Sequence, residues 1–178
     1  LQGLVLVSFP ASSQWITGVL GLSQSQYGAL FLPQLIFAIL GSILGALLAQ
    51  RVQMKWLLLF SLMFNLCSQA LLAACAYSPA SWVLPGLLLG MAFLGFGFGI
   101  SAAPLNTLPR WMFPGQSDIA LLAAHTLVGI GLALGPLCVS GFFYYKAWVA
   151  YPVLLGSILL IAFCIVALQP FASNPIYR

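Results

Sequence analysis

An all-α membrane protein, with six transmembrane helices in two three-helix repeats, is the fold class this sequence predicts. Three observations carry that expectation. Of the 178 residues, 63% are hydrophobic and only 3% charged, where soluble domains carry about 25% charged residues. The apolar residues fall into six runs long enough to cross a bilayer core, which takes about 20 residues. Small residues recur at four-residue spacing in selected runs, as helices packing closely in lipid require. A soluble enzyme, a disordered chain and a nucleic-acid binder are excluded by the same composition. The net charge of +4 comes from five basic residues and one acid, too few to track phosphates.

Turn and polar residues punctuate the six runs, in order. The first, 3–20, is closed by Gly21-Leu22-Ser23-Gln24-Ser25-Gln26, and the second, 27–49, by the basic hairpin Gln50 to Lys55. The third, 56–77, ends at Ser78-Pro79-Ala80-Ser81. The fourth, 82–105, precedes a connection from Asn106 to Asp118 that holds Pro109, Arg110, Pro114 and Gly115, all turn or loop formers. The fifth, 119–143, leads through Tyr144-Tyr145-Lys146 to the sixth, 149–168. Residues 169–178 read as a polar tail or the start of a linker. Only helices satisfy their own backbone over such lengths in lipid, so each run is predicted as one helix. The chain starts at Leu1 and its first run has no basic flank, so it reads as a fragment without a signal peptide.

Charge and aromatic placement give an orientation. Arg51, Lys55, Arg110 and Arg178 share one side and Lys146 stands alone on the other. The positive-inside rule places both chain ends in the cytoplasm of a cell membrane. Trp56, Trp82, Trp111, Trp148 and the Tyr144-Tyr145 pair lie at run ends, as interfacial anchors do. Cys67, Cys75, Cys138 and Cys164 lie in apolar runs without metal-ligand spacing and read as small buried hydrophobes. No cofactor or metal is expected.

Glycines separate scaffold helices from the others. Gly41 and Gly45 mark the second run, Gly86 to Gly99 the fourth, and Gly129, Gly131, Gly135 and Gly141 the fifth. The third and sixth runs, poor in glycine, are expected to face lipid. Two units, runs 1–3 and 4–6, with corresponding glycine-rich second members, fit the internal repeats common in transporters.

Two stretches resemble the major facilitator superfamily. Leu48, Ala49, Arg51 and Lys55 match in kind the loop signature G-x-L-A-D-R-x-G-R-K, although Gln50 replaces its acid, Gln53 its second glycine and Met54 a basic residue. Gly131-Leu132-Ala133-Leu134-Gly135-Pro136 is similar to the G-x-x-x-G-P signature of the fifth helix, and the stretch from Pro104 to His125 looks like that family's junction of helices 4 and 5. The resemblance covers the whole chain as an amino-terminal half. It implies a secondary transporter working by alternating access, completed by a carboxy-terminal six-helix half or a second copy. Runs 1 and 4 would line its cavity and runs 2 and 5 would meet the partner half. Arg51 and Lys55 would latch the inward gate. Pro136 weakens its helix at Leu132, and Gly131 and Gly135 leave that point thin enough for a neighbour to slide past.

The chemistry available within the runs is sparse. Gln14, Gln34 and His125, with Asn106 at a helix end, are the candidate contacts for a small polar organic solute. Asn65, Gln69 and Ser101 complete the polar inventory of the runs, and no acid or base falls at their middle. A full charge on the solute is therefore not expected. Asp118 reads as a cap or a coupling group and His125 as a solute contact or proton relay. The absence of a buried arginine in the fourth run weakens a drug–proton antiporter reading. A rhomboid-type serine protease is the remaining alternative, through Gly99-Ile100-Ser101-Ala102. It needs a histidine beside Ser101, and His125 stands 24 residues on.

Overall fold

The computed structural model describes residues 1–170, and the regular elements among them are all helical. The expected polar tail therefore lies, beyond Pro170, outside the described residues. The first apolar run is not one helix. It forms α1 (Gln2–Leu6), α2 (Ser8–Ala11) and α3 (Ser13–Gly18), interrupted at Val7 and Ser12, where ψ moves to 2° and 11°. Pro10 has no N–H to offer the Leu6 carbonyl. The hydroxyls of Ser8 and Ser12 donate to the Val5 and Ser8 carbonyls at 2.8 and 2.6 Å. Such local bonds compete with the main-chain ladder and bend a helix. The uniform apolarity of the run conceals both breaks.

Five further spans are long and apolar enough to cross a membrane. Helix α4 (Gln24–Ala29) opens with a capping box in which Ser23 and Gln26 bond each other's backbone N–H. It runs through Leu30 into α5 (Phe31–Leu48). Then come α6 (Met54–Ala74), α7 (Ala80–Met112), a 3-10 turn (Pro114–Gln116) leading into α8 (Ser117–Tyr144), and α9 (Ala150–Leu168). The connection expected from Asn106 to Asp118 is mostly helix. Helix α7 passes through Pro104 and Pro109 and stops only before Pro114. Its 33 residues rise about 50 Å, against a bilayer core of about 30 Å. Met54, at the start of α6, clusters with Ile100. The turns of α7 beyond Ile100 stay packed there, with Leu108 and Trp111 against the same cluster.

Helix α7 is the centre of the bundle, packed between α5, α6 and α8, while α9 lies on α6 and α1 and α2 lie on α8. The main core joins Phe9, Trp15 and Ile16 of the broken segment to Leu72, Leu87, Met91, Leu94 and Leu159. Glycines make two backbone crossings. Gly41 and Gly45 of α5 meet Gly95 and Gly99 of α7 so closely that a Cβ on Gly95 would strike the Gln34 backbone. Gly3 of α1 meets Gly131 of α8 in the same manner. Backbones approach this way only where side chains are absent. Helix α6 buries Ser61, Asn65, Ser68 and Gln69 on one face and exposes the apolar Trp56, Phe60 and Met63 on the opposite one.

The cysteines divide in two. Cys75 is buried just after α6, whereas Cys138 and Cys164 are exposed on the outer faces of α8 and α9. Burial pushes the Cys75 thiol up from its ordinary 9.0 to about 11. The folded state therefore disfavours the thiolate. Its contribution to stability is intact below pH 9 and falls as pH rises towards about 11. At pH 8 a maleimide should label Cys75 in the folded chain about a hundredfold more slowly than in the SDS-unfolded chain. Equal rates in the two states would show that this thiol is not buried.

Candidate functional site

Two of the residues singled out from sequence are brought together. The extra turns of α7 carry Asn106 to α8, where His125 Nε2 lies 3.2 Å from Asn106 Oδ1. Asn106 Nδ2 donates in turn to the Ala102 carbonyl at 2.7 Å. Both residues are exposed, on an otherwise apolar stretch of surface. Asp118 stands in the first turn of α8, exposed, with its Oδ1 accepting from Ser117 Oγ at 3.5 Å. Seven residues separate it from His125, about 10 Å of rise along the shared helix. An acid in a first turn also complements the positive end of the helix dipole.

The remaining candidates are placed apart. Gln14 is exposed on α3 and Gln34 half-buried on α5, and among the described residues neither side chain bonds Asn106 or His125. Arg51 is exposed in the turn after α5. Lys55 is half-buried and bonded at the end of α9. Its Nζ donates to the carbonyls of Ala167 and Gln169, both at 2.8 Å, and so caps the end of α9. Gly131 and Gly135 are buried against the broken first segment of the same bundle, not presented to a missing half. Pro136, next to them, is exposed.

Sequence reasoning underrated a buried polar seam. Gln69 Nε2 donates to Ser8 Oγ at 2.9 Å, tying α6 to α2 between the two breaks. One turn away, Asn65 Nδ2 donates to the Ser61 carbonyl at 2.8 Å. Gln69 Oε1, Asn65 Oδ1 and Ser68 Oγ are buried without a partner among the described residues. The spacing of Ser61, Asn65, Ser68 and Gln69 puts all four on one helix face. That stripe was the signal.

An apolar cavity of about 570 Å³ opens between α1, α6, α7, α8 and α9, walled by Leu58, Leu62, Leu108, Ala123 and Leu127. Ser101 is one of its few polar walls, and none of Gln14, Gln34, Asn106 and His125 lines it. Ser101 Oγ donates to the Phe98 carbonyl at 2.6 Å, while His125 is bonded to Asn106. Among the described residues no cluster of metal-ligating side chains occurs.

An all-helical bundle with five spans and wide apolar outer faces on α5, α8 and α9 defines a multi-pass membrane protein. Comparison with known proteins finds no matching family model, curated protein or solved structure.

Proposed function

We propose that this chain is a six-helix half of a major-facilitator-type secondary transporter. It moves a small polar organic solute across a cell membrane by alternating access, coupled to a proton or another cation. The observation that carries the reading is the pair of glycine crossings. The second run packs on the fourth (α5 on α7) and the fifth on the first (α8 on α1), while the third packs on the sixth. Exchanging runs 1–3 with runs 4–6 maps these three pairings onto one another, as two repeats related by an axis would, while the packing of α6 on α7 has no counterpart of similar extent between α9 and the first run. The breaks beside Pro10 add support, because discontinuous helices commonly border transporter sites. The partner is the carboxy-terminal half or a second copy, docked on the apolar faces of α5 and α8, and both chain ends are cytoplasmic by the charge rule.

A second reading within the same superfamily, an exporter of amphipathic molecules, is favoured by the apolar cavity. One experiment separates the two. Proteoliposomes holding the chain together with its carboxy-terminal half, or as a dimer, are loaded with a mixture of polyols, amino acids and amphipathic amines, and efflux is followed by mass spectrometry. Accelerated efflux of polyols or amino acids supports the first reading, and of amines alone the second. No acceleration under any ion gradient would overturn both.

A further inference from the structure

The hydrogen bonds around His125 determine which of its nitrogens carries the proton. A main-chain carbonyl only accepts, so the 2.7 Å contact with Ala102 must come from the amide nitrogen of Asn106. Asn106 then turns its oxygen, an acceptor, towards His125 Nε2 at 3.2 Å. Nε2 must donate. In the neutral imidazole this leaves Nδ1 without a hydrogen, as a lone pair, and Nδ1 has no partner among the described residues. Because His125 is exposed, that lone pair is open to whatever occupies the outer face of the α7–α8 hairpin.

We infer that Asn106 locks His125 as the Nε2–H tautomer, so that Nδ1 is a hydrogen-bond acceptor for a hydroxyl of a neutral solute. The solute class rests on the transporter reading above, whereas the tautomer does not. The charged groups on the packed elements are few. Arg110 lies one turn beyond Asn106 on α7, and Asp118 lies two turns before His125 on α8. Helix α6, packed on α7, brings Lys55 in its first turn, bonded to the end of α9, and helix α5 brings none, with Arg51 in the turn that follows it. One acid offset by a nearby cation favours neither an ammonium nor a carboxylate, which leaves a hydroxyl as the donor. Asn106 acts here as a positioning residue.

The chain has one histidine, so its imidazole can be observed without interference. In the full chain, ¹⁵N-labelled at histidine and reconstituted in lipid, neutral-pH NMR should show Nε2 as protonated and Nδ1 as bare. Asn106→Leu should bring the two resonances towards a tautomer mixture. A protonated Nδ1 in the wild type, or a spectrum unchanged by Asn106→Leu, would overturn the lock. Asn106→Ser is the second variant if the leucine disturbs insertion, with the same expectation. Added sorbitol should then move the Nδ1 resonance, and choline and acetate should leave it unmoved. If the tautomer is as stated but sorbitol has no effect, or choline alone shifts Nδ1, the solute assignment fails and the lock stands.

Discussion

Gly95→Leu is expected to abolish the folded bundle, while Gly129→Leu leaves it intact. Both glycines occupy apolar helix positions and look alike in the sequence. A Cβ on Gly95 would strike the carbonyl oxygen, carbon and Cα of Gln34, which are main-chain atoms and cannot rotate aside. The α5–α7 crossing must then open, taking the contacts at Gly41, Gly45 and Gly99 with it. Overpacking against side chains costs about 1–3 kcal/mol, and a main-chain clash at a crossing lies at or above the upper end. Gly129 has nothing within 4 Å of its virtual Cβ. Yield of monodisperse chain after detergent extraction, with thermal unfolding by circular dichroism, reads both variants. Comparable stability of the two would show that the α5–α7 crossing is not where the bundle is held.

Gly135→Leu is expected to destabilise the bundle, and Val7→Ala to restore part of the loss. The added Cβ meets Val7 Cγ2, at the first break of the segment from Gln2 to Gly18. Val7→Ala removes both γ-methyls, Cγ2 among them, and opens room for the added side chain, so the two substitutions should couple by about 1–3 kcal/mol in a double-mutant cycle. The sequence-based view had Gly135 thin a hinge against a missing half, which makes the substitution harmful to transport but silent in folding. A folded, stable Gly135→Leu chain with no coupling to Val7 would favour that view over packing.

The spans from Gln24 onwards were legible because each is a long unbroken apolar run, and lipid leaves the backbone only one way to satisfy itself there. The glycine spacing of Gly41 and Gly45 likewise marked a true crossing. The breaks at Val7 and Ser12 were not legible. They depend on two serine hydroxyls choosing main-chain carbonyls, and one of the two, Ser8, also accepts a hydrogen bond from Gln69 on another helix. The end of α7 was misplaced for a related reason. Pro109 and Arg110 look like loop residues, yet a helix already 24 residues long by Ala103 continues through its prolines until Pro114 stops it. Of the candidate site, Asn106 and His125 meet because of that overrun. Lys55 read as part of a gate latch, and its bonds to α9 were not legible because the carbonyls that bind it lie 112 and 114 residues away.

That distance has a consequence for how the chain is made. Lys55 leaves the ribosome long before Ala167 exists, by roughly 6 to 20 s at ordinary rates of synthesis. Through that interval its ammonium has only water and lipid headgroups for company. Helix α6 is then a hairpin arm with a wet, uncommitted end. Arrival of α9 supplies two carbonyls that its own helix has no use for, and the last span closes against the third. The clamp thus fixes the start of α6 to the end of α9 only once both have been made.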